Sequence, residues 1–364
     1  MRILCVIDCL GSGGAQRQLV GLANGFKNKG HDVSFLVYHK DDFFYDELKA
    51  NSIPVFEIIE NSYFHRFLKI RKFIRSEKFN VVLSFLETPN LICELAGLPW
   101  RKWKLIVGER NANPRILKSF RLIIYRFFHL FADKVVSNSY KNIEFVSKVN
   151  PFLRRNKLKV IYNRVNPSFF YEREEKHSFF KNDKFNLTVI ARHQNQKNLK
   201  GLVKSIDLLT DSQKNKIEIR WYGDRIESPY FDESFIHGTT LIKKLRLDQF
   251  NFFPATKNTK AAMEEADAIA LFSHYEGFPN VICEAMALGK PVICSNVADI
   301  PRFLNYDTCL TFDPSKEEQI ANSISYLMSL DKDNLIKLGN INKEIAYQYF
   351  NPDNIIEEYC VLFS

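Results

Sequence analysis

Two carboxylates eight residues apart, Glu276 and Glu284, stand in the segment SHYEGFPNVICEAMALGKPVICS (273–295) of this 364-residue chain. The apolar run before it predicts a strand that delivers Glu276 and Gly277 into a loop. Pro279 suits the first position of a helix, and Gly289 with Pro291 ends that helix before another strand. With Glu276 in the loop and Glu284 further along the helix, both carboxylates can face one ligand. A carboxylate accepts hydrogen bonds from two neighbouring hydroxyls, as on a ribose or a hexose. The helix start over Gly277, Phe278, Pro279 and Asn280 adds free backbone N–H groups from the residues other than proline, and about half a unit of positive charge, suited to a phosphate or a sugar oxygen.

Two cations occupy a comparable place in VIARHQNQKNLKGLVKSI (189–206). Arg192 ends a buried strand and Lys197 opens the next helix, so both sit at a strand's carboxyl end. Such a pair suits a diphosphate, each charge-assisted hydrogen bond contributing about 1.5–3 kcal/mol. A third segment, GSGGAQRQL (11–19), follows the first strand and could be mistaken for a dinucleotide fingerprint. Gln16 holds the third glycine position, however, and the second strand ends in Tyr38-His39 with no acid for a ribose, which disfavours nicotinamide binding. Gly13 and Gly14 at a helix start still permit close backbone approach to a ligand. The histidines show no HxxxH or HExxH spacing, and the seven cysteines no CxxC pair, so no metal site or cofactor is expected. The cysteines read as reduced thiols, most of them in the core.

These residues need a scaffold, and the pattern supplies one. Apolar runs at 2–8, 31–38, 80–86, 104–109, 134–139 and 159–163 alternate with helical stretches. The rhythm restarts at 185–192, 217–223, 251–254, 268–273 and 291–295, and ends in a long helical C-terminus. This β-α-β order predicts two doubly wound parallel sheets in tandem with a cleft between them, joined by a polar linker at 166–183. In such sheets ligands bind beyond the carboxyl ends of the strands. The composition, 46% hydrophobic and 26% charged, is that of a globular chain of about two domains. It excludes a disordered scaffold, and no apolar run is long enough to span a membrane. The short apolar start, cut by Asp8, reads as a mature cytosolic N-terminus rather than a signal peptide.

The net charge of +9 is unevenly spread. Residues 1–171 carry 28 Lys and Arg against 14 Asp and Glu, the remainder 23 against 28. Within the basic half, YFHRFLKIRKFIR (63–75) reads as an amphipathic helix with Tyr63, Phe67, Ile70 and Ile74 on one stripe and Arg66, Lys69, Lys72 and Arg75 on other faces. The charge is either a solvated rim, or a surface for an anionic membrane or an acidic lipid-linked substrate. No nucleic-acid motif accompanies it.

EGFPNVICEA resembles the Glu-x7-Glu motif of the retaining GT-B glycosyltransferases of family 4, and the rest of the chain agrees in order. GGAQRQL resembles that family's glycine loop, GERNANP (108–114) its Glu-Arg-Asn segment, VIYNRVN (160–166) its pre-linker turn with Arg164 where glycine is usual, ARHQNQKN its phosphate segment, and FNPDNIIEEY (350–359) its closing helix. The resemblance implies an acceptor-binding domain at 1–170, a nucleotide-sugar-binding domain at 171–345 and a C-terminal helix at 346–364 that packs back on the first. It implies a nucleotide-diphosphate-sugar donor such as a UDP-sugar, a glycan acceptor that is lipid-linked or soluble, and retaining transfer without a metal. Arg192 and Lys197 would clamp the diphosphate and Glu284 the ribose. Glu276 would contact the transferred sugar, residues Gly277 to Asn280 would line the donor, and Gly13 and Gly14 would approach it. Arg110, where many members carry His, and Glu109 beside it would contact sugar or acceptor. A cytoplasmic enzyme, peripheral at the inner membrane face, is the expected setting. An inactive binding subunit is the alternative.

Overall fold

The computed structural model describes residues 1–110, 113–171, 179–180, 183–223, 232–256 and 258–364. Asn111 and Ala112 of the Glu-Arg-Asn segment, and half of the expected linker, lie outside these residues. The chain divides into two compact units, Met1–Arg164 with Asn351–Ser364, and Val165–Phe350. These divisions fall at 164 and 350 rather than at the expected 170 and 345. Val165 N donates to Phe350 O at 3.0 Å, so the second unit begins and ends on one backbone hydrogen bond.

In the first unit β1 (Arg2–Val6), β2 (Asp32–Val37), β3 (Val55–Glu57), β4 (Val81–Phe85), β5 (Lys104–Glu109), β6 (Lys134–Ser137) and β7 (Leu158–Val160) form a parallel sheet in the order β3-β2-β1-β4-β5-β6-β7. Alternate residues of a strand point to opposite faces. Ile3, Cys5, Val33, Phe35, Leu83 and Ile106 belong to one core, and Leu4, Val6, Leu36, Val82 and Leu105 to another. Both faces are therefore covered, which is why the strands read as continuous apolar runs. The first core is completed by Ile355, Ile356 and Tyr359 of the helix Pro352–Val361, packed on the helix Gly14–Asn28. The expected long C-terminal helix is three, Glu317–Ser329, Lys332–Phe350 and Pro352–Val361.

The second unit repeats the design. Here β8 (Phe185–Ile190), β9 (Ile217–Gly223), β10 (Phe250–Pro254), β11 (Ala268–Leu271), β12 (Val292–Ser295) and β13 (Thr311–Phe312) run parallel in the order β10-β9-β8-β11-β12-β13. Strand order reverses between β1 and β4 in one sheet and between β8 and β11 in the other. Those reversals are where a doubly wound sheet opens a binding crevice.

The expected basic helix forms, as Tyr63–Ser76, but its charges are not all outside. Ile70 and Ile74 are buried together with Arg66, whereas Tyr63 is 80% exposed. Arg66 donates to Glu60 O and lies over the rings of Tyr38 and Tyr63. Arg71 donates to Leu95, Ala96 and Leu98 carbonyls at 2.8, 2.9 and 2.6 Å, and Arg75 to Ala96 and Trp100. These arginines satisfy orphan carbonyls at and beyond the end of the helix Glu87–Ala96. Lys69 pairs with Glu60, leaving Lys72 as the one of the five cations without such a partner among the described residues.

The helix Asn280–Ala287 is held from behind by Lys332–Phe350. Gly289 ends it at φ +69°, and a Cβ on Gly339 would lie 2.0 Å from the Gly289 carbonyl oxygen. Two backbones meet there with no flexible atom to yield. Gly339→Ala is expected to cost about 1–3 kcal/mol by overpacking, measured as a fall in the denaturant midpoint; an unchanged midpoint would show the helices can separate freely.

Candidate functional site

Arg192 and Lys197 lie in the connection that follows β8, and Glu276, Gly277, Phe278 and Pro279 in the one that follows β11. The sheet reverses between these two strands, so the structure brings both segments to one crevice of the second unit. Gln196 Nε2 donates to Tyr275 O at 2.6 Å, and His274 N to Gln196 O at 2.9 Å. Between them Lys197 Nζ meets Glu276 Oε1 at 2.5 Å, with both side chains mostly buried. Sequence reasoning missed Gln196, whose two-way bonding fixes the spacing of the loops.

Asn198 sits in the left-handed region at φ 60° and caps the helix Leu199–Asp207 by accepting from Gly201 N at 3.1 Å. Its amide also donates to Pro314 O at 2.8 Å. The chain thus turns sharply after Lys197 and keeps that ammonium at the strand end.

Pro279 precedes the helix as its cap residue, and Asn280 takes the first helical position that the sequence had suggested for Pro279. No side chain caps this helix, and within its first turn Ile282 N and Cys283 N both donate to the Pro279 carbonyl. Glu284 is 5% exposed on that helix. Phe278 does not line a ligand surface with its ring, which packs 6.0 and 5.6 Å from Phe303 and Phe350. Among the described residues no three His, Cys, Asp or Glu side chains group as a metal ligand set.

In the first unit Gly13 is the cap residue of Gly14–Asn28, again without a side-chain cap. A Cβ on Gly13 would meet Gln16 Oε1 at 2.2 Å, and the Gln16 amide donates to Asp8 Oδ1 at 3.1 Å. Gln16, which broke the dinucleotide pattern, therefore ties the first turn of this helix to the start of the loop that leaves β1. Arg164 replaces the usual glycine without disturbing its turn. Its backbone is clamped by Gln18 at 2.9 Å in both directions and its guanidinium covers Gly21, where no side chain competes.

Glu109 and Arg110 diverge at the end of β5. Arg110 is half-buried at the strand end. Glu109 instead turns into the domain, which corrects its expected contact with sugar or acceptor. Its Oε2 accepts from Arg126 at 2.7 Å, and its Oε1 pairs with His129 Nε2 at 2.9 Å. His129 Nδ1 reaches Glu94 Oε1 at 2.6 Å, and Arg126 extends to Glu87 at 3.5 Å. The only sequence sign of this network is Arg126 and His129, three apart within the apolar run LIIYRFFHLF.

Burial alone would lower the His129 pKa and raise that of Glu109. The carboxylates of Glu94 and Glu109 outweigh it at His129, which is pushed up from 6.5 to about 9. Arg126 and His129 outweigh it at Glu109, which is lowered from 4.5 to about 2. The His129 contribution to stability is complete below 6.5 and fades as pH rises through 9, and that of Glu109 is present above 4.5 and fades as pH falls towards 2. The chain is expected to lose stability between pH 6.5 and 9, and His129→Gln to be less stable throughout with a flatter profile there; equal slopes in the two proteins would refute the charged pairing.

Residues 12–169 match the family described as Glycosyltransferase Family 4, and residues 170–344 that described as Glycosyl transferases group 1. The chain is 29% identical over 383 residues to the Campylobacter jejuni GalNAc-alpha-(1->4)-GalNAc-alpha-(1->3)-diNAcBac-PP-undecaprenol alpha-1,4-N-acetyl-D-galactosaminyltransferase, covering 100% of this chain and 98% of the relative. It is 24% identical over 306 residues to the N-acetylgalactosamine-N,N'-diacetylbacillosaminyl-diphospho-undecaprenol 4-alpha-N-acetylgalactosaminyltransferase of the same organism, covering 80% and 79%. Its fold is similar to that of Anabaena HepE in complex with UDP and glucose, with a TM-score of 0.81, 17% identity and coverage of 99% and 98%. Two Rossmann-like sheets, each matched by its own family along nearly the whole chain, identify this protein as a member of the GT-B glycosyltransferases.

Proposed function

We propose that the protein transfers a sugar from a nucleotide-diphosphate-sugar, of the UDP type, to a lipid-linked glycan with retention of anomeric configuration. The observation that carries this reading is that the loop after β8, which holds Arg192 and Lys197, is tied to the loop that leads from β11 through Glu276 to the helix start at Asn280, where strand order reverses. A diphosphate is the group that such an arrangement suits. Lys197 has three donors, so its bond to Glu276 leaves two for phosphate oxygens. Glu276, thus oriented, accepts from hydroxyls of the transferred sugar, and Glu284 from the ribose. The relatives' undecaprenol-linked acceptors support a lipid-linked acceptor here.

In the reaction the bond from the anomeric carbon to the diphosphate breaks, and the acceptor oxygen forms its bond on the same face. The hydroxyl proton passes to the leaving phosphate oxygen. Negative charge grows on the diphosphate as it departs, and Arg192 and Lys197 are already in place to stabilise it, with no solvent reorganisation. These fixed cations supply the counter-charge, so the reading is of a metal-independent enzyme. Arg192→Ala and Glu284→Ala are each expected to lower transfer from UDP-sugars by about a hundredfold or more while leaving the melting transition in place; near wild-type turnover in both variants would refute the assignment.

No helix among the described residues is long and apolar enough to cross a membrane. Peripheral docking at the inner membrane face through the first domain accords with its excess of 28 basic over 14 acidic residues in 1–171. Beside the partnered arginines of Tyr63–Ser76, exposed Tyr63, Phe64, Leu68 and Trp100 offer aromatic and apolar groups suited to the headgroup boundary. With three arginines committed internally, charge contributes less than five free cations would, at about 1 kcal/mol each. Cosedimentation with anionic vesicles is expected to weaken at high salt and to fall further in Phe64→Asp; absence of binding at low salt would exclude this docking.

A further inference from the structure

Arg110 is surrounded by neutral groups. Its Nη1 donates to Asn163 Oδ1 at 3.2 Å, its Nη2 to the Tyr359 hydroxyl, and its guanidinium carbon lies 3.7 Å from the centre of the Phe85 ring. No carboxylate among the described residues pairs with it, and the adjacent Glu109 is turned away and fully engaged by Arg126 and His129. A partly desolvated charge is ordinarily paired. Here the guanidinium is instead held in one orientation by an aromatic face and two acceptors, with N–H donors left over from its five. It stands at the carboxyl end of β5, the side of the sheet on which ligands bind.

Tyr359 is what makes the orientation specific. It is 1% exposed, set edge-on against Phe26 at 6.2 Å, and belongs to the helix Pro352–Val361 that completes the first domain's core. Its ring cannot follow a moving arginine.

We infer that Arg110 is an oxyanion site that holds a substrate phosphate, and that Tyr359 is the positioning residue that aims it. The inference rests on the glycosyl-transfer reading above and assigns a phosphate-binding cation to the first domain itself. A phosphate oxyanion reaches this enzyme from two sources, the nucleotide diphosphate and the diphosphate of a lipid-linked acceptor. A neutral sugar hydroxyl would leave the charge uncompensated, which is why the anion is favoured over the hydroxyl contact.

Calorimetric titration of the full chain with UDP and, separately, with geranyl diphosphate distinguishes the sources. Arg110→Gln, which keeps hydrogen bonding but removes the charge, is expected to weaken one of the two ligands by about ten- to a hundredfold, the equivalent of a lost charge-assisted bond. Arg110→Lys is expected to recover part of that loss. Tyr359→Phe, which keeps the packing and the Arg110 charge, is expected to weaken the same ligand by about threefold and to have no further effect once Arg110 is Gln. A purely structural Tyr359 would add its own loss in the double variant, and wild-type affinity of Arg110→Gln for both ligands would overturn the oxyanion assignment. If wild-type protein itself turned over no nucleotide sugar, the reading beneath would fail instead.

Discussion

An ion pair of 2.5 Å, Lys197 to Glu276, closes a gap of 79 residues in the chain, and the donor half of the candidate site is arranged around it. As a source of stability such a pair is minor, because partial desolvation offsets much of its attraction. Its importance is geometric. Together with the two bonds that Gln196 makes, it ties the loop after β8 to the loop after β11. A parallel sheet leaves these loops on the same edge, and the reversal of strand order sends their following helices to opposite faces. The crevice between the loops is thus a product of topology, and the ion pair sets which charges line it.

The same constraint acts in the first domain with a different outcome. Its reversal, between β1 and β4, is bordered by the glycine loop, where the Gln16 amide donates to Asp8. Further along the sheet, at β5, neighbouring residues of opposite charge are sent in opposite directions. Glu109 is neutralised inside by Arg126 and His129, while Arg110 is offered outside on neutral supports. Buried, paired charges of the first kind hold the sheet edge together, and the cation of the second kind is the one proposed to meet a phosphate. One sheet edge thereby carries both a support and a contact.

Much of this was legible in the sequence because both sheets are covered on each face. Runs such as RILCV and AIAL leave no room for a polar alternation, and the intervening helices follow. The strands that escaped notice, Val55–Glu57 and Thr311–Phe312, are three and two residues long at sheet edges, too short for any periodicity. The Glu276 and Glu284 segment was readable because glycine and proline punctuate it. What could not be read was direction. Arg66 is buried although the helical pattern placed it outside, since its charge is satisfied by the Glu60 carbonyl just before the helix and by the face of Tyr38, which only folding brings near. Glu94, Glu109 and the pair Arg126 and His129 form one network from three places in the sequence, and only folding brings those places together.

The central claim is that the crevice between β8 and β11 binds a nucleotide diphosphate through fixed cations. Titration of UDP into wild-type protein and Lys197→Ala by calorimetry tests it most directly. Wild type is expected to bind UDP, and the variant to bind it about tenfold or more weaker, the loss of one charge-assisted phosphate contact. Equal affinity of the two proteins for UDP would contradict it.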